Sequence, residues 1–122
     1  STMANVLLVD DDQAILDIVG LWLENEGHTV LKAHDGEIAL SSLDDKNFDV
    51  IITDIIMPKT EGIELIREIR RKRKKMGIVA ISAGGKHGAN YLNAAKSMGA
   101  NTVISKPLEQ EIIVSAVADL LH

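Results

Sequence analysis

Acidic side chains, a hydroxyl group and a lysine come directly after four separate apolar runs of the sequence. In chain order these residues are Asp10, Asp11, Asp12, Asp54, Ser82 and Lys106. Two carboxylates repel each other by roughly 4 kcal/mol at a separation of about 4 Å and an effective dielectric constant of about 20. A divalent cation offsets this repulsion, and Mg²⁺ takes carboxylate and water oxygens while keeping positions open for phosphate. The acids therefore indicate a metal site, in which Asp54 is a candidate ligand or nucleophile.

Each of these residues also has a structural interpretation: helix capping is the alternative for Asp10 and Asp11, and an ordinary surface acid is the alternative for Asp54. We expect Asp12 to cap the N-terminus of a helix, because a carboxylate there accepts hydrogen bonds from the first free N–H groups. Lys106 precedes Pro107, and its ammonium is either solvated in a loop or paired with Asp54 and later with a phosphoryl group. Ser82 is either an ordinary turn serine or a hydrogen-bond donor to the same group.

The elements that must position these residues alternate along the chain. Apolar runs predict strands at residues 6–9, 29–31, 49–54, 78–81 and 102–104, and each is followed by residues with helical periodicity. Strict alternation favours a parallel sheet with helices on both faces, and nearly continuous apolar strands agree with burial on both sides. Ligands of such sheets bind beyond the carboxyl ends of the strands, which is where the acids, Ser82 and Lys106 lie.

The composition excludes several classes of protein and site. The chain has 122 residues, 46% of them apolar and 25% charged, which predicts one ordinary globular domain. It has no cysteine, which excludes disulfides, thiolate metal sites and a cysteine nucleophile. No apolar run approaches the ~18 residues of a membrane-spanning helix. A net charge of −5 and only three aromatic residues argue against direct binding of nucleic acid.

The N-terminus carries no pattern of a secretory signal, so we expect a cytoplasmic protein. Ser1 and Thr2, before Met3, are interpreted as a cloning remnant, and the predicted domain spans residues 3–122.

Four motifs together resemble the receiver domain of two-component response regulators. They are VLLVDDD (6–12), IITDIIMPKTEG (51–62), ISAG (81–84) and ISKP (104–107). Each motif alone is weakly specific, but their order and spacing on alternating strands and helices are very specific. The resemblance implies a flavodoxin-like, doubly wound α/β fold, with a five-stranded parallel sheet in the order 2-1-3-4-5 and five helices.

The resemblance also implies an acceptor and a metal site. Asp54 would be the phosphoacceptor. Asp11 and Asp54 would bind Mg²⁺ directly, together with the backbone carbonyl of Ile56, and Asp10 would act through water. The residues Ile56 and Gly84 lie at positions that modulate autodephosphorylation in the family, and neither has a polar side chain. We therefore hypothesise a long-lived phosphoryl group.

Ser82 and Lys106 match the family's phosphoryl-binding hydroxyl and lysine, and the Lys106–Pro107 peptide bond would be cis. The family usually has an aromatic residue three positions before the lysine, where this sequence has Val103. Because valine has no ring to rotate, we do not expect an aromatic switch, although phosphorylation itself does not require one.

The function implied is that of a phosphoacceptor switch in a histidine-to-aspartate phosphorelay, which catalyses only its own phosphorylation and dephosphorylation. Its partners would be a sensor histidine kinase or histidine phosphotransfer protein, and an output domain or downstream protein. The resemblance also allows a homodimer through the face of the fourth helix, fifth strand and fifth helix. No contact with a membrane or with nucleic acid is expected.

Two other functions stay open. Val103 favours a phosphorylation-independent interaction module on the same fold, whereas the complete set of acids, hydroxyl and lysine disfavours it. A Mg²⁺-dependent phosphatase is the other, because a fold does not fix a function; it would need an acid or base near Asp54, where Ile56 is apolar. The basic run at residues 70–75 is interpreted as a solvated helix end or, less simply, as a docking patch.

Overall fold

Five parallel strands form one sheet in this computed structural model, which describes residues 3–55, 62–73, 75–83 and 93–121. The strands are β1 (Asn5–Val9), β2 (Thr29–Ala33), β3 (Val50–Asp54), β4 (Gly77–Ser82) and β5 (Thr102–Ser105). Their order is β2-β1-β3-β4-β5, and every neighbouring pair is parallel. The predicted fold and strand order are therefore confirmed. Ile56 and Gly84 lie outside the described residues.

Helices cover both faces of the sheet. They are α1 (Gln13–Asn25), α2 (Gly36–Asp45), α3 (Gly62–Lys72), the helical residues 93–98, named α4, and α5 (Gln110–Asp119). Apolar side chains of α1 and α5 pack on one face, and those of α2, α3 and α4 pack on the other. Within the described ranges, no helix is both long and apolar enough to cross a bilayer.

The position of each strand in the sheet explains its sequence. Every residue of β3 and β4 is buried, so these strands read as nearly continuous apolar runs. The edge strands β2 and β5 are only partly buried, and their apolar signal is correspondingly weaker. The two fully buried strands, β3 and β4, thus carry the strongest sequence pattern and also hold Asp54 and Ser82 at their carboxyl ends.

Aspartates cap the two helices that follow the first two strands. The Asp12 carboxylate accepts a hydrogen bond from the Ala14 N–H at 2.9 Å, at the start of α1. Asp35 accepts one from the Ile38 N–H at 2.8 Å, at the start of α2. The predicted capping role of Asp12 is confirmed, which separates it from its two acidic neighbours.

The basic run at the end of α3 is only partly a solvated surface. Arg70 donates hydrogen bonds to the carbonyls of Gly99 at 2.9 Å and Met76 at 2.6 Å. Arg73 donates to the carbonyl of Leu43, in α2. The expectation of a solvated helix end is wrong for these two arginines, because their side chains reach neighbouring backbone and satisfy its free carbonyl groups.

Candidate functional site

Parallel pairing of β1 with β3 brings three carboxylates together. Val9 pairs with Thr53, so the residues that follow them, Asp10 and Asp54, lie side by side. Asp10, Asp11 and Asp54 offer carboxylate oxygens that all lie within 4.8 Å of one another. Asp10 and Asp54 are buried, with 1% and 5% of their surfaces exposed, whereas Asp11 is exposed. The cluster therefore opens to solvent on the side of Asp11.

Lys106 reaches this cluster from the end of β5. Its Nζ lies 3.0 Å from Asp54 Oδ2 and 3.4 Å from Asp10 Oδ2. The Lys106 backbone N–H donates to the Ser82 carbonyl at 2.8 Å, which holds the Lys106 backbone next to the end of β4. The Lys106–Pro107 peptide bond is cis. The ammonium thus compensates two buried carboxylates at once.

The pKa values of the partly buried Lys106 and of the buried Asp10 are both raised. Burial alone lowers the pKa of Lys106, but the hydrogen bond to Asp54 and the negative charges of Asp54 and Asp10 outweigh it, and the pKa is raised. Burial raises the pKa of Asp10, and the charge of Asp54 adds to this; the Asp12 N–H and Lys106 offset only part. The ammonium is therefore held in its charged form, while a second negative charge at Asp10 is disfavoured.

The donor atoms fit a hard divalent cation. Asp10 Oδ1 accepts a hydrogen bond from the Asp12 N–H at 2.9 Å. Its other oxygen, Oδ2, is buried and accepts no hydrogen bond from the described residues. Oδ2 has Lys106 Nζ as an ion-pair partner at 3.4 Å, and a cation coordinated by oxygens, directly or through water, would add further positive charge to the cluster of three carboxylates.

Comparison with known proteins places this chain in a family. The family model of the response regulator receiver domain matches residues 6–118. This chain belongs to that family. It is 34% identical over 120 residues to the transcriptional regulatory protein CpxR of Klebsiella pneumoniae, a match that covers 98% of this chain and 50% of that protein. The chain thus spans about half the length of that relative.

Solved structures are also similar to this chain. NtrX from Brucella abortus superposes with a TM-score of 0.93 and 28% identity, over 98% of this chain and 27% of NtrX. The chemotaxis response regulator CheY4 of Vibrio cholerae has a TM-score of 0.88 and 31% identity, over 98% of this chain and all of that one (100%). The likeness to CheY4 therefore extends over nearly all of this chain and all of CheY4, whereas NtrX is several times longer.

Ser82 and Val103 lie on β4 and β5 of the receiver domain, the two strands between Asp54 and one edge of the sheet. Ser82 is fully buried at the end of β4, and its hydroxyl donates to the Ala83 carbonyl at 3.2 Å. Val103 pairs with Ala80 across β4 and β5, is half-buried, and packs against the core on the α3 and α4 side. The site of the usual aromatic residue is therefore filled by a small side chain that already contacts the core.

Two residues of the receiver domain near Asp54 were missed by the sequence interpretation. Thr53 is fully buried, and its hydroxyl donates to the Asp54 carbonyl at 2.9 Å. Gly62, the first residue of α3, lies against the backbone of Asp54 and Ile55. Thr53 could have been noticed in the sequence, because it is a hydroxyl residue within an apolar strand. The closeness of Gly62 to Asp54 could be found only from the folded structure.

Proposed function

We propose that this receiver domain is a Mg²⁺-dependent phosphoacceptor switch of a histidine-to-aspartate phosphorelay, in which Asp54 takes the phosphoryl group. The observation that carries the proposal is the Lys106 ammonium, 3.0 Å from Asp54 Oδ2, within a cluster of three carboxylates. Acids that fit a cation, next to a fixed ammonium, support binding of a cation and a phosphoryl group at one place.

In this proposal Asp11 and Asp54 hold Mg²⁺ directly, Asp10 acts through a water molecule, and the backbone carbonyl of Ile56 is a further ligand. The exposure of Asp11 supports the assignment, since it leaves a side of the cluster accessible to solvent and to a phosphodonor. When bound, Mg²⁺ supplies positive charge that neutralises the phosphoryl oxygens.

The transfer step follows from the position of Asp54. A carboxylate oxygen of Asp54 forms a bond to phosphorus, while the bond from phosphorus to a histidine nitrogen or to the oxygen of a small phosphodonor breaks. The electrons of that bond leave with the donor. The chain contributes position and charge neutralisation rather than a general base. Lys106 then pairs with the phosphoryl oxygens, and the Ser82 hydroxyl donates a hydrogen bond to them.

Phosphorylation would act as a switch because Lys106 and Ser82 would each leave their present hydrogen-bond partner and bind the phosphoryl oxygens. In the unphosphorylated structure Lys106 binds the Asp54 carboxylate. Lys106 directly follows β5, so its movement would act on that strand. A sensor histidine kinase or histidine phosphotransfer protein would supply the phosphoryl group, and an output domain or downstream protein would read the altered surface. A homodimer through the face of α4, β5 and α5 and a cytoplasmic location belong to the same proposal.

A phosphorylation-independent interaction module is the second candidate, and the packing of Val103 favours it. Because this side chain already contacts the core, a change at Asp54 has no ring at this position to move. The module would use the same surfaces without covalent chemistry.

Intact-protein mass spectrometry after incubation with acetyl phosphate distinguishes the two candidates. We expect a gain of one phosphate that requires both Mg²⁺ and Asp54. Asp54→Ala should abolish the gain, whereas Asp44→Ala, at an exposed position in α2, should retain it. No gain in the wild type, under conditions that label another receiver domain, would refute the phosphoacceptor function and favour the interaction module.

A further inference from the structure

We infer that Thr53 and Gly62 are positioning residues for the phosphoacceptor, which together fix the peptide unit between Asp54 and Ile55. The Asp54 side chain is aimed at the cation and at Lys106 by this backbone. The inference rests on the proposed function, but part of its test does not need phosphorylation.

The first support is that both ends of this peptide unit are held by hydrogen bonds. The Ile55 N–H donates to the Ile81 carbonyl at 2.9 Å, one residue beyond the end of β3. The Asp54 carbonyl accepts from the Thr53 hydroxyl at 2.9 Å. Thr53 has 0% of its surface exposed, so bulk water does not compete for this bond. The peptide plane is thus fixed at its N–H and at its oxygen.

The second support is the close approach of Gly62. A Cβ atom added to Gly62 would lie 2.3 Å from Ile55 Cα and 2.6 Å from the Asp54 carbonyl oxygen. These are backbone atoms, which cannot turn away as the end of a side chain does. The Gly62 N–H also donates to the Ile55 carbonyl at 3.2 Å. The start of α3 is therefore seated directly on the backbone that follows the phosphoacceptor.

The restraint matters for the reaction because phosphoryl transfer tolerates little displacement of the reacting carboxylate. A shift of about 1 Å in a reacting group can cost on the order of a hundredfold in rate. Because Asp54 is itself a proposed Mg²⁺ ligand, loss of this restraint should weaken cation binding together with phosphorylation.

The first test compares Thr53→Val with Thr53→Ser. Valine keeps the shape and removes the donor, whereas serine keeps the hydroxyl. The measurements are the acetyl phosphate labelling rate, Mg²⁺ affinity by calorimetry, and hydrogen exchange of the Ile55 amide by NMR, compared with the Ile51 amide. We expect Thr53→Val to lose about tenfold in labelling rate, to bind Mg²⁺ more weakly, and to exchange faster at Ile55 alone. Thr53→Ser should restore all three.

The second test uses three glycines of the same chain. Gly62→Ala should lower the labelling rate of the folded protein and weaken Mg²⁺ binding. In Gly77→Ala the new Cβ meets Leu120 side-chain atoms at 3.0 Å, at the amino end of β4. In Gly20→Ala it meets the Lys32 side chain at 2.7 Å. These two controls should change stability at most, with labelling of the folded protein unchanged.

The inference is overturned if Thr53→Val matches the wild type in labelling rate, Mg²⁺ affinity and Ile55 exchange. Should Gly62→Ala fail to fold, the Thr53 pair alone decides. A wild-type protein that takes no phosphoryl group refutes the proposed function. The exchange of the Ile55 amide in Thr53→Val and Thr53→Ser, which needs neither cation nor phosphodonor, then still confirms or refutes the restraint.

Discussion

The Lys106 ammonium donates a hydrogen bond to Asp54 Oδ2 at 3.0 Å, although the two residues are 52 positions apart. The strand order explains the contact, since β4 alone separates β3 from β5 and all three end at the same edge of the sheet. The Lys106 ammonium, which is proposed to bind the phosphoryl group, is therefore in place before phosphorylation. This preorganisation is expected where charge neutralisation is the main contribution of the protein.

Lys106→Ala should destabilise the Mg²⁺-free protein. The change leaves the buried Asp54 and Asp10 carboxylates without their shared ammonium, and we expect the free energy of unfolding to fall by about 1–3 kcal/mol. Urea unfolding in EDTA measures this loss in the free energy of unfolding. Lys96→Ala, at an exposed position in α4, is the matched control. Equal midpoints for both variants would show that the ion pair contributes nothing.

Asp10→Asn should stabilise the Mg²⁺-free protein at neutral pH, because burial and the neighbouring Asp54 charge disfavour the ionised Asp10 carboxylate by more than Lys106 compensates. The pKa of Asp10 is raised above 3.8, so ionisation costs stability as pH rises through the folded-state pKa. Below pH 3.8 Asp10 is protonated in both states, and the gain should disappear. Urea unfolding of both proteins across pH measures the difference. A gain that is independent of pH would contradict this explanation.

Mg²⁺ at a hundredfold its dissociation constant should raise the free energy of unfolding of the wild type by about 2.7 kcal/mol. Asp11→Ala should lose most of this response, since its carboxylate is a proposed direct ligand. Asp12→Asn keeps a helix-capping side chain and should respond like the wild type. Thermal unfolding with and without Mg²⁺ tests the pair, and an undiminished response in Asp11→Ala would remove this residue from the metal site.

Arg70→Ala should cost about 2 kcal/mol of stability, because the carbonyls of Gly99 and Met76 lose hydrogen-bond donors. The labelling rate of the folded protein should not change, since this contact lies at the end of the sheet opposite Asp54. Arg71→Ala, whose exposed guanidinium pairs with Glu68, should leave the stability nearly unchanged. Denaturant unfolding with both variants measures the contrast, and similar losses would mean that Arg70 acts only as a surface charge.

The fold was predictable because the physical signals agreed with one another. Alternating strand and helix patterns leave few arrangements once crossovers are right-handed, and the buried strands β3 and β4 carry unbroken apolar runs. The cap at Asp12 was predictable for a local reason, since its hydrogen-bond partner lies two residues away. Lys106 and the acids were selected by their place after strands, which a parallel sheet brings to one edge.

What could not be predicted depends on distances between residues far apart in the chain. The close approach of Gly62 to Ile55 is a contact between backbones, and residue types alone do not predict which backbones meet. Arg70 and Arg73 stood in a run of similar charges, and only the fold shows which of them reach backbone carbonyls. The hypothesis of a long-lived phosphoryl group depends on Ile56 and Gly84, and it stays a prediction that the half-life of the labelled protein would test.

The hydrogen bonds of Arg70 anchor the carboxyl end of α3 to the loops that precede β4 and β5. Its guanidinium joins the end of α3 to Gly99, which directly follows α4, and to the loop before β4. The other end of α3 begins at Gly62, on the backbone of the proposed phosphoacceptor. Contacts with backbone at both ends of α3 therefore connect the carboxyl edge of the sheet, at Asp54, with its amino edge, before β4.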